Sequence, residues 1–129
     1  MVNLLIVSHS AQLAAGVKEF ASQVAGSQVQ IAAAGGTADG GLGTSVERIQ
    51  AELQAIASPD GVLVLVDIGG AVLSVEIAIE GLEVSPVMIS DAPLVEGAYL
   101  AAVEASAGAT LEETAAAALQ AREMVKVHH

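Results

Sequence analysis

The sequence predicts an α/β fold: an open, mostly parallel sheet of about four strands with helices on both faces. Short β-branched apolar runs alternate strictly with longer segments of helical periodicity, as in strands joined by right-handed helical crossovers. The run at residues 62–66 is apolar at every position, which is typical of a strand covered on both faces. Turn-forming residues separate the runs, as at residues 58–61. We therefore expect a single domain.

The first strand and helix follow from residues 3–26. The compact apolar run at residues 3–7 predicts a strand, and the segment after it has helical spacing and closes at Gly26. The predicted core face of this first helix consists of Leu13, Val17, Phe20, Ala21 and Val24.

Residues 28–34 predict a second strand, and the glycine-rich residues 35–43 predict a loop. Thr44, with Glu47 three residues later, forms a capping box, so the second helix is expected to begin there. The run at residues 62–66 should then be the central strand. The predicted inner face of the second helix consists of Val46, Ile49, Leu53 and Ile56.

The second half of the chain continues the alternation. Residues 84–90 predict a fourth strand, and Pro86 favours an edge position, where a missing N–H donor is harmless. Residues 93–126 predict two helices with a break at Gly108 and a capping box formed by Thr110 and Glu113. We expect one domain over residues 1–127 and interpret residues 128–129 as a tag remnant or frayed end. A third helix, ending near Gly81 and Glu83, is predicted from Val72, Val75, Ile79 and Leu82.

Composition excludes several classes of function. The chain has 129 residues, is 53% apolar, has a formal net charge of -11 and contains no cysteine. Disulfides, thiolate metal centres and cysteine nucleophiles are therefore excluded. Four scattered bases against 15 acids argue against nucleic acid as a partner. No signal peptide is expected, because the N-terminal segment has no lysine or arginine before Lys18 and no cleavage-like site after a long apolar run. No membrane span is expected, because the longest apolar stretch, residues 62–73, is short and interrupted. We therefore predict a cytoplasmic protein.

The residues that follow the predicted strands are the candidates for a functional site. Ligands of open parallel sheets bind beyond the carboxyl ends of the strands, where the strand order reverses. The first and third strands usually lie side by side there, which would bring His9 and Asp67 together across about 5 Å. An aspartate that accepts Nδ1–H fixes the histidine tautomer and leaves the Nε2 lone pair free. His9 is thus a candidate nucleophile or base, with Asp67 as its partner.

The same loops could hold an anion such as phosphate. His9 is predicted at the first turn of a helix, where free N–H groups and the helix dipole favour negative charge. None of these loops contains lysine or arginine, and the lysine of a nucleotide-binding P-loop is missing after Gly43. A site without a fixed cation would release its phosphoryl group easily, which suits a carrier. The candidate phosphoryl-binding residues are Ser10, Gly43, Thr44, Ser45, Gly69 and Gly70, with Ser8 as a further donor.

Each of these residues also has a simpler interpretation. His9 could be a hydrogen-bonded polar residue or helix cap without chemistry, and Asp67 could merely cap the third helix. The glycines of residues 35–43 could form a flexible loop, and Glu96 is expected to be a surface acid that matches a helix dipole. No metal site is expected, because His9 and Asp67 alone are too few ligands.

Four segments resemble a known family: residues 1–10, residues 43–45, residues 62–74 and residues 92–97. They are similar to the phosphotransfer subunit of bacterial phosphoenolpyruvate-dependent dihydroxyacetone kinase, which is related to mannose-type enzyme IIA domains. The resemblance implies that His9 is phosphorylated on nitrogen and that Asp67 orients its ring. It further implies a homodimer. Some relatives are fused to carrier domains, and this chain is expected to hold the IIA-like domain alone.

The resemblance also implies partners and a place in glycerol metabolism. The donor would be the histidine-containing phosphocarrier HPr, and the acceptor would be ADP on the nucleotide-binding kinase subunit. The ATP formed there would phosphorylate dihydroxyacetone, so this chain itself would bind no cofactor. One departure is Gly70, where the family pattern leads us to expect a serine.

Two other functions stay open at this point. The chain could be the IIA domain of a mannose-type sugar phosphotransferase system, or a non-enzymatic flavodoxin-like signalling or binding module. A receiver phosphorylated on Asp67 would need an acidic pair after the first strand and a lysine after a late strand. Here the first strand ends in Ser8-His9-Ser10, and no lysine occurs between Lys18 and Lys126. The phosphohistidine relay is therefore the preferred hypothesis.

Overall fold

In the described part of the chain, strands and helices alternate up to residue 106 and a further helix then follows, as the sequence predicts. The computed structural model describes residues 1–82 and 86–128. Glu83, Val84, Ser85 and His129, which belong to the predicted third helix end, fourth strand and frayed terminus, lie outside the described residues. The elements are β1 (Asn3–Ser8), α1 (Ala11–Ser22), β2 (Ile31–Gly35), α2 (Val46–Ala55), β3 (Val62–Val66), α3 (Gly69–Glu80), β4 (Val87–Ser90), α4 (Leu94–Ser106), α5 (Leu111–Leu119) and a 3-10 turn (Gln120–Glu123).

The four strands form one parallel sheet in the order β2-β1-β3-β4. This confirms the predicted α/β class, the internal position of β3 and the edge position of β4. Pro86 stands just before β4, where its carbonyl accepts the N–H of Val62 at 2.9 Å. The predicted second strand begins too early, because Val29 N–H closes a turn onto the Gly26 carbonyl at 3.1 Å and β2 starts only at Ile31.

Helices cover both faces of the sheet, as predicted. Helices α1, α4 and α5 pack on one face, against Leu4, Ile6, Leu63 and Leu65. Helices α2 and α3 pack on the other face, against the alternate residues of the same strands. Every residue of β1 and of β3 is therefore buried. The second cluster contains, among others, Leu5, Val7, Ile49, Leu53, Val62, Val64, Val66, Ala71, Val75 and Ala78.

Part of the predicted core face of α1 is wrong. Val17 and Ala21 are buried, but Leu13 and Phe20 are exposed, and the third buried residue is Ala14. Phe20 instead stacks on Tyr99 of α4, with ring centroids 5.5 Å apart. The small side chains on the inner face let α1 lie close to the sheet, so the large apolar residues point outward.

Helix α2 begins one residue later than its capping box predicts. Its N-cap is Ser45, whose hydroxyl accepts the N–H of Arg48 at 3.3 Å. The Thr44 hydroxyl lies instead 2.6 Å from the hydroxyl of Ser74 on α3. Both residues are good caps, so a tertiary contact decides between them.

The C-terminal half follows the prediction closely. Helices α4 and α5 are separated at Gly108, and Thr110 and Glu113 form the predicted capping box. Glu96 lies in the first turn of α4, as expected, and is also ion-paired with Lys126. Within the described ranges, no helix combines the length and the apolar character needed to span a bilayer.

Candidate active site at the carboxyl ends of β1 and β3

The pairing of β1 with β3 brings His9 and Asp67 to the same edge of the sheet. Val7 pairs with Val66, so the residues that follow them on the two strands lie at the same level at this end of the sheet. The N–H of Asp67 still donates to the carbonyl of Val7, at 3.2 Å. Two buried apolar runs thus fix the position of the first polar residues that follow them.

The imidazole of His9 and the carboxylate of Asp67 form a hydrogen bond. His9 Nδ1 lies 3.0 Å from Asp67 Oδ1, which confirms the predicted proximity. The side chain of Asp67 is 15% exposed and that of His9 is 30% exposed. The pair is therefore shielded on the carboxylate side and accessible on the imidazole side.

Backbone and hydroxyl donors hold the carboxylate in place. Asp67 Oδ2 accepts the N–H of His9 at 2.8 Å and the hydroxyl of Ser8 at 2.9 Å. Asp67 Oδ1 accepts the N–H of Ile68 at 2.7 Å. The N-cap residue of α3 is Ile68, whose side chain makes no capping hydrogen bond. Asp67 accepts the N–H of Ile68 and also binds the ring of His9. The interpretation of Asp67 as merely a helix cap is wrong.

These bonds also determine the charge of Asp67. Burial raises the pKa of its carboxyl, but the hydrogen bonds from His9, Ser8 and Ile68 outweigh burial and lower the pKa below the ordinary aspartate value. Asp67 is thus ionised at neutral pH and can only accept. Asp67 therefore favours the tautomer of His9 with its proton on Nδ1, and in that tautomer the lone pair is on Nε2.

His9 Nε2 faces the first turn of α3. A Cβ atom placed on Gly70 would lie 3.0 Å from Nε2, so the backbone of α3 approaches the ring closely because this residue has no side chain. The expectation that His9 lies in the first turn of its own helix is wrong, because Ser10 is the N-cap of α1 and the helix begins at Ala11. The helix terminus beside the ring belongs to α3.

The other predicted phosphoryl-binding residues differ in their hydrogen-bond partners. Gly43 contacts the His9 segment through its N–H, which donates to the His9 carbonyl at 2.8 Å. Ser10 accepts the N–H of Leu13 at 3.2 Å as the cap of α1, and Ser45 caps α2. Gly70 and Gly43 therefore flank His9, whereas Ser10 and Ser45 are occupied as caps.

Two more predicted donors are engaged within the site. Ser8 is fully buried, donates to Asp67 and accepts the N–H of Ser10 at 3.0 Å, so it supports Asp67 and is not open to a ligand. Thr44 is bound to Ser74, which is not among the site residues predicted from the sequence. Ser74 lies four residues after Gly70, so the two residues lie on one side of α3, and this spacing is the signal that could have identified Ser74.

The glycine-rich segment after β2 adopts a defined turn. Gly35 ends β2, and a Cβ there would lie 2.5 Å from the Ser10 carbonyl oxygen, so only glycine allows this approach to the start of α1. Gly43 has a φ of 133°, which favours glycine where the segment donates to His9. The segment thus contacts the chain at Ser10 and at His9. Among the described residues, no group of three His, Cys, Asp or Glu side chains could hold a metal ion.

Comparison with known proteins identifies the family. Residues 3–115 match the family model EIIA-man, described as PTS system fructose IIA component. The chain therefore belongs to the EIIA-man family of phosphotransferase-system components.

Two of its curated relatives are named phosphoryl donor subunit DhaM of PEP-dependent dihydroxyacetone kinase. The second such kinase of Listeria innocua has a subunit that is 38% identical over 81% of this chain and 86% of its own length. The subunit of Klebsiella michiganensis is 39% identical over 98% of this chain but only 28% of its own length. The chain thus spans most of one relative and little more than a quarter of the other.

Solved structures agree with the fold. A crystal structure of the unknown function protein EF1359 matches with a TM-score of 0.78 at 36% identity and covers 92% of both chains. The phosphotransferase system component EIIA from Streptococcus agalactiae matches with a TM-score of 0.71 at 15% identity, over 98% of this chain and 97% of its own. The second likeness supports the architecture alone.

Proposed function

We propose that this chain is the phosphoryl donor subunit of a phosphoenolpyruvate-dependent dihydroxyacetone kinase and that it carries the phosphoryl group on His9 Nε2. The observation that carries the proposal is the His9–Asp67 hydrogen bond of 3.0 Å at the ends of β1 and β3. It is supported by the printed names of the relatives. The donor is HPr, and the acceptor is ADP on the nucleotide-binding kinase subunit.

In the proposed reaction, the Nε2 lone pair of His9 attacks the phosphorus of the donor's phosphoryl group in line with the leaving nitrogen. The new N–P bond forms as the donor's P–N bond breaks, and the leaving nitrogen takes back the electron pair. The Nδ1 proton stays on the ring, and the adjacent Asp67 carboxylate stabilises the positive charge that develops there. In transfer to ADP, an oxygen of the terminal phosphate of ADP attacks the phosphorus, the new P–O bond forms as the Nε2–P bond breaks, and Nε2 takes back the electron pair. Because the transition state is loose, positioning contributes most of the catalysis.

The surroundings of Nε2 suit a group that is held briefly. The first turn of α3, at Gly69 and Gly70, would direct N–H groups and the positive end of the helix dipole at the phosphoryl oxygens. Apart from each other, the described hydrogen-bond partners of His9 and Asp67 are backbone groups and a hydroxyl, none of them lysine or arginine. Such a site stabilises a phosphoryl group without binding it tightly.

The surface near His9 favours a protein as the partner. Leu42, next to Gly43, is 83% exposed, and Ile68 and Leu73 on either side of Gly70 are 63% and 61% exposed. Large apolar side chains around a reactive group are better covered by a protein than by a small substrate. The charge of -11 would attract a partner with a basic surface. A homodimer in the cytoplasm, with adenine nucleotide bound only by the partner subunit, belongs to the same proposal.

The test is reconstitution of the relay from purified components. We expect phosphoenolpyruvate, enzyme I and HPr to label the chain with acid-labile, base-stable phosphate, and the kinase subunit with ADP and dihydroxyacetone to remove it. His9→Ala should abolish labelling, whereas the matched control His128→Ala at an exposed imidazole should be labelled like the parent. Undiminished labelling of His9→Ala, or no labelling of the parent chain, would overturn the proposal. Discharge by a sugar-transporter component but not by the kinase subunit would assign the chain to a sugar system.

A further inference from the structure

A pair of hydroxyl groups joins two segments that flank His9. Thr44 Oγ1 and Ser74 Oγ are partly buried and lie 2.6 Å apart. The two residues are 30 positions apart in the chain, so this is a contact between different segments. Ser74 Oγ also lies 3.4 Å from the carbonyl oxygen of Gly70, one turn earlier in α3. Thr44 follows Gly43, which donates to the His9 carbonyl, and Gly70 faces His9 Nε2. The pair thus connects the backbone on two sides of the candidate site.

Proton accounting shows that the pair has two states. Each hydroxyl has one proton, and Ser74 has two acceptors, the Gly70 carbonyl and the Thr44 oxygen. If Ser74 donates to Gly70, Thr44 must donate to Ser74 and has no proton left for a ligand. If Ser74 donates to Thr44, the Thr44 proton is free to bind an anion. The bond given up in the second state is the long one, at 3.4 Å, so the exchange requires little free energy.

We propose that Ser74 is a positioning residue that turns the hydroxyl proton of Thr44 toward a phosphoryl group on His9. The inference rests on the proposed phosphorylation of His9. Gly70 has no hydroxyl, so a hydroxyl donor beside the start of α3 would come from another residue, and the Ser74–Thr44 pair supplies hydroxyls there. Ser74 acts through the Thr44 hydroxyl, without touching the phosphoryl group.

The test uses phosphoramidate, a small phosphoryl donor that needs no protein partner. The Nε2–P bond forms as the P–N bond of phosphoramidate breaks and ammonia leaves. Formation and decay of phosphohistidine are followed by phosphorus NMR on the whole chain. The variants are Ser74→Ala, Thr44→Val and both together, with Ser74→Thr to restore the hydroxyl. Ser106→Ala is the matched control, because it removes a helical hydroxyl that donates to a carbonyl one turn earlier, at Ala102.

We expect Ser74→Ala and Thr44→Val each to slow phosphorylation about fivefold, the effect of losing one ordinary hydrogen bond. The double variant should be no slower than Thr44→Val alone, because Ser74 acts only through Thr44. Ser74→Thr should return to within about twofold of the parent rate, and Ser106→Ala should match the parent. Thermal unfolding verifies that each variant is folded, and alanine at a helical position favours this.

The outcomes separate this inference from the proposed function. If the parent chain forms no phosphohistidine, the proposed function fails and the inference fails with it. If the parent is labelled but Ser74→Ala is labelled equally fast, only the inference fails. Effects that multiply in the double variant, or a Ser74→Thr variant as slow as Ser74→Ala, would show that Ser74 does not act through the Thr44 hydroxyl.

Discussion

Asp67 and Asp91 follow neighbouring strands at the same edge of the sheet, and each pairs with a basic side chain. Asp67 contacts the His9 ring, is 15% exposed and accepts three further hydrogen bonds. Asp91 is 91% exposed, and Arg122 binds both its carboxylate and, at 3.1 Å, its carbonyl oxygen. The two aspartates thus share their place in the fold but differ in burial and in the number of donors.

The difference shows that pairing with a basic side chain does not by itself hold a carboxylate in one shielded orientation. An exposed ion pair contributes about 0–1 kcal/mol, because solvent screens it and both side chains lose freedom. A shielded carboxylate with several donors is held in one orientation and kept ionised, so it can fix a histidine tautomer. The backbone N–H groups of His9 and Ile68, as much as the ring, distinguish Asp67 from Asp91.

The largest expected effect is on the rate of phosphorylation. Asp67→Asn should slow labelling of His9 by HPr about 100-fold, because an amide cannot stabilise the positive ring as a carboxylate does. Asp91→Asn should remain within about twofold of the parent rate, since its carboxylate takes no part in the site. Initial rates measured with radioactive phosphoenolpyruvate provide the comparison. Equal rates for the two variants would remove Asp67 from the proposed mechanism.

The next effect concerns stability and its dependence on pH. The pKa of Asp67 is lower in the folded chain than in the unfolded chain, so the ionised carboxylate stabilises the fold. This contribution to the free energy of unfolding is complete above the ordinary aspartate pKa of about 3.9 and is lost as the pH falls through the lower pKa of the folded chain. At pH 6, Asp67→Asn should reduce the free energy of unfolding by about 2 kcal/mol.

That difference should shrink steadily as the pH falls below the ordinary aspartate pKa of about 3.9. Urea unfolding of the parent and of Asp67→Asn at several pH values measures it, with Asp91→Asn as the control that shows little change at any pH. A difference between parent and Asp67→Asn that grows on acidification would have the wrong sign for a lowered pKa.

A smaller effect tests the free nitrogen of the ring. A Cβ on Gly70 would lie 3.0 Å from His9 Nε2, whereas a Cβ on the adjacent Gly69 meets nothing within 4 Å. Gly70→Ala should therefore slow phosphorylation by phosphoramidate about tenfold, and Gly69→Ala should not. Both substitutions replace a glycine in the first turn of α3 by a better helix former, so thermal unfolding measures separately what the contact with His9 costs Gly70→Ala. Equal rates for both variants would mean that the first turn of α3 does not limit access to Nε2.

The part of the site that could be predicted is the part set by strands. The apolar runs at residues 3–7 and 62–66 each predict a strand, and the parallel pairing of these two strands places His9 beside Asp67. The donors around Asp67 follow locally, because Ser8, His9 and Ile68 are its neighbours at the strand ends.

The rest depends on how helices settle on the sheet. Thr44 and Ser45 can both cap a helix. In the structure Ser45 caps α2 and Thr44 contacts Ser74 on a different helix, an arrangement that the spacing of Thr44 and Glu47 does not predict. The outward position of Phe20 depends on the small residues that pack beneath α1 and on Tyr99 of α4. The approach of Gly70 to Nε2 likewise results from packing, and sequence spacing does not encode such distances.

The smallest expected effect is that of removing Arg122. Among the described arginines, Arg122 is the one that lines the cavity of about 300 Å³ beyond β3 and β4, and Asp67 and Asp91 line the same cavity. Its position alone would therefore suggest a role in phosphoryl transfer. Its bonds, however, run to an exposed carboxylate and a backbone oxygen. Arg122→Ala should therefore change the free energy of unfolding by less than about 0.5 kcal/mol and leave the rate of His9 labelling within about twofold. A tenfold slower labelling, with unfolding unchanged, would show instead that a cation does assist the transfer.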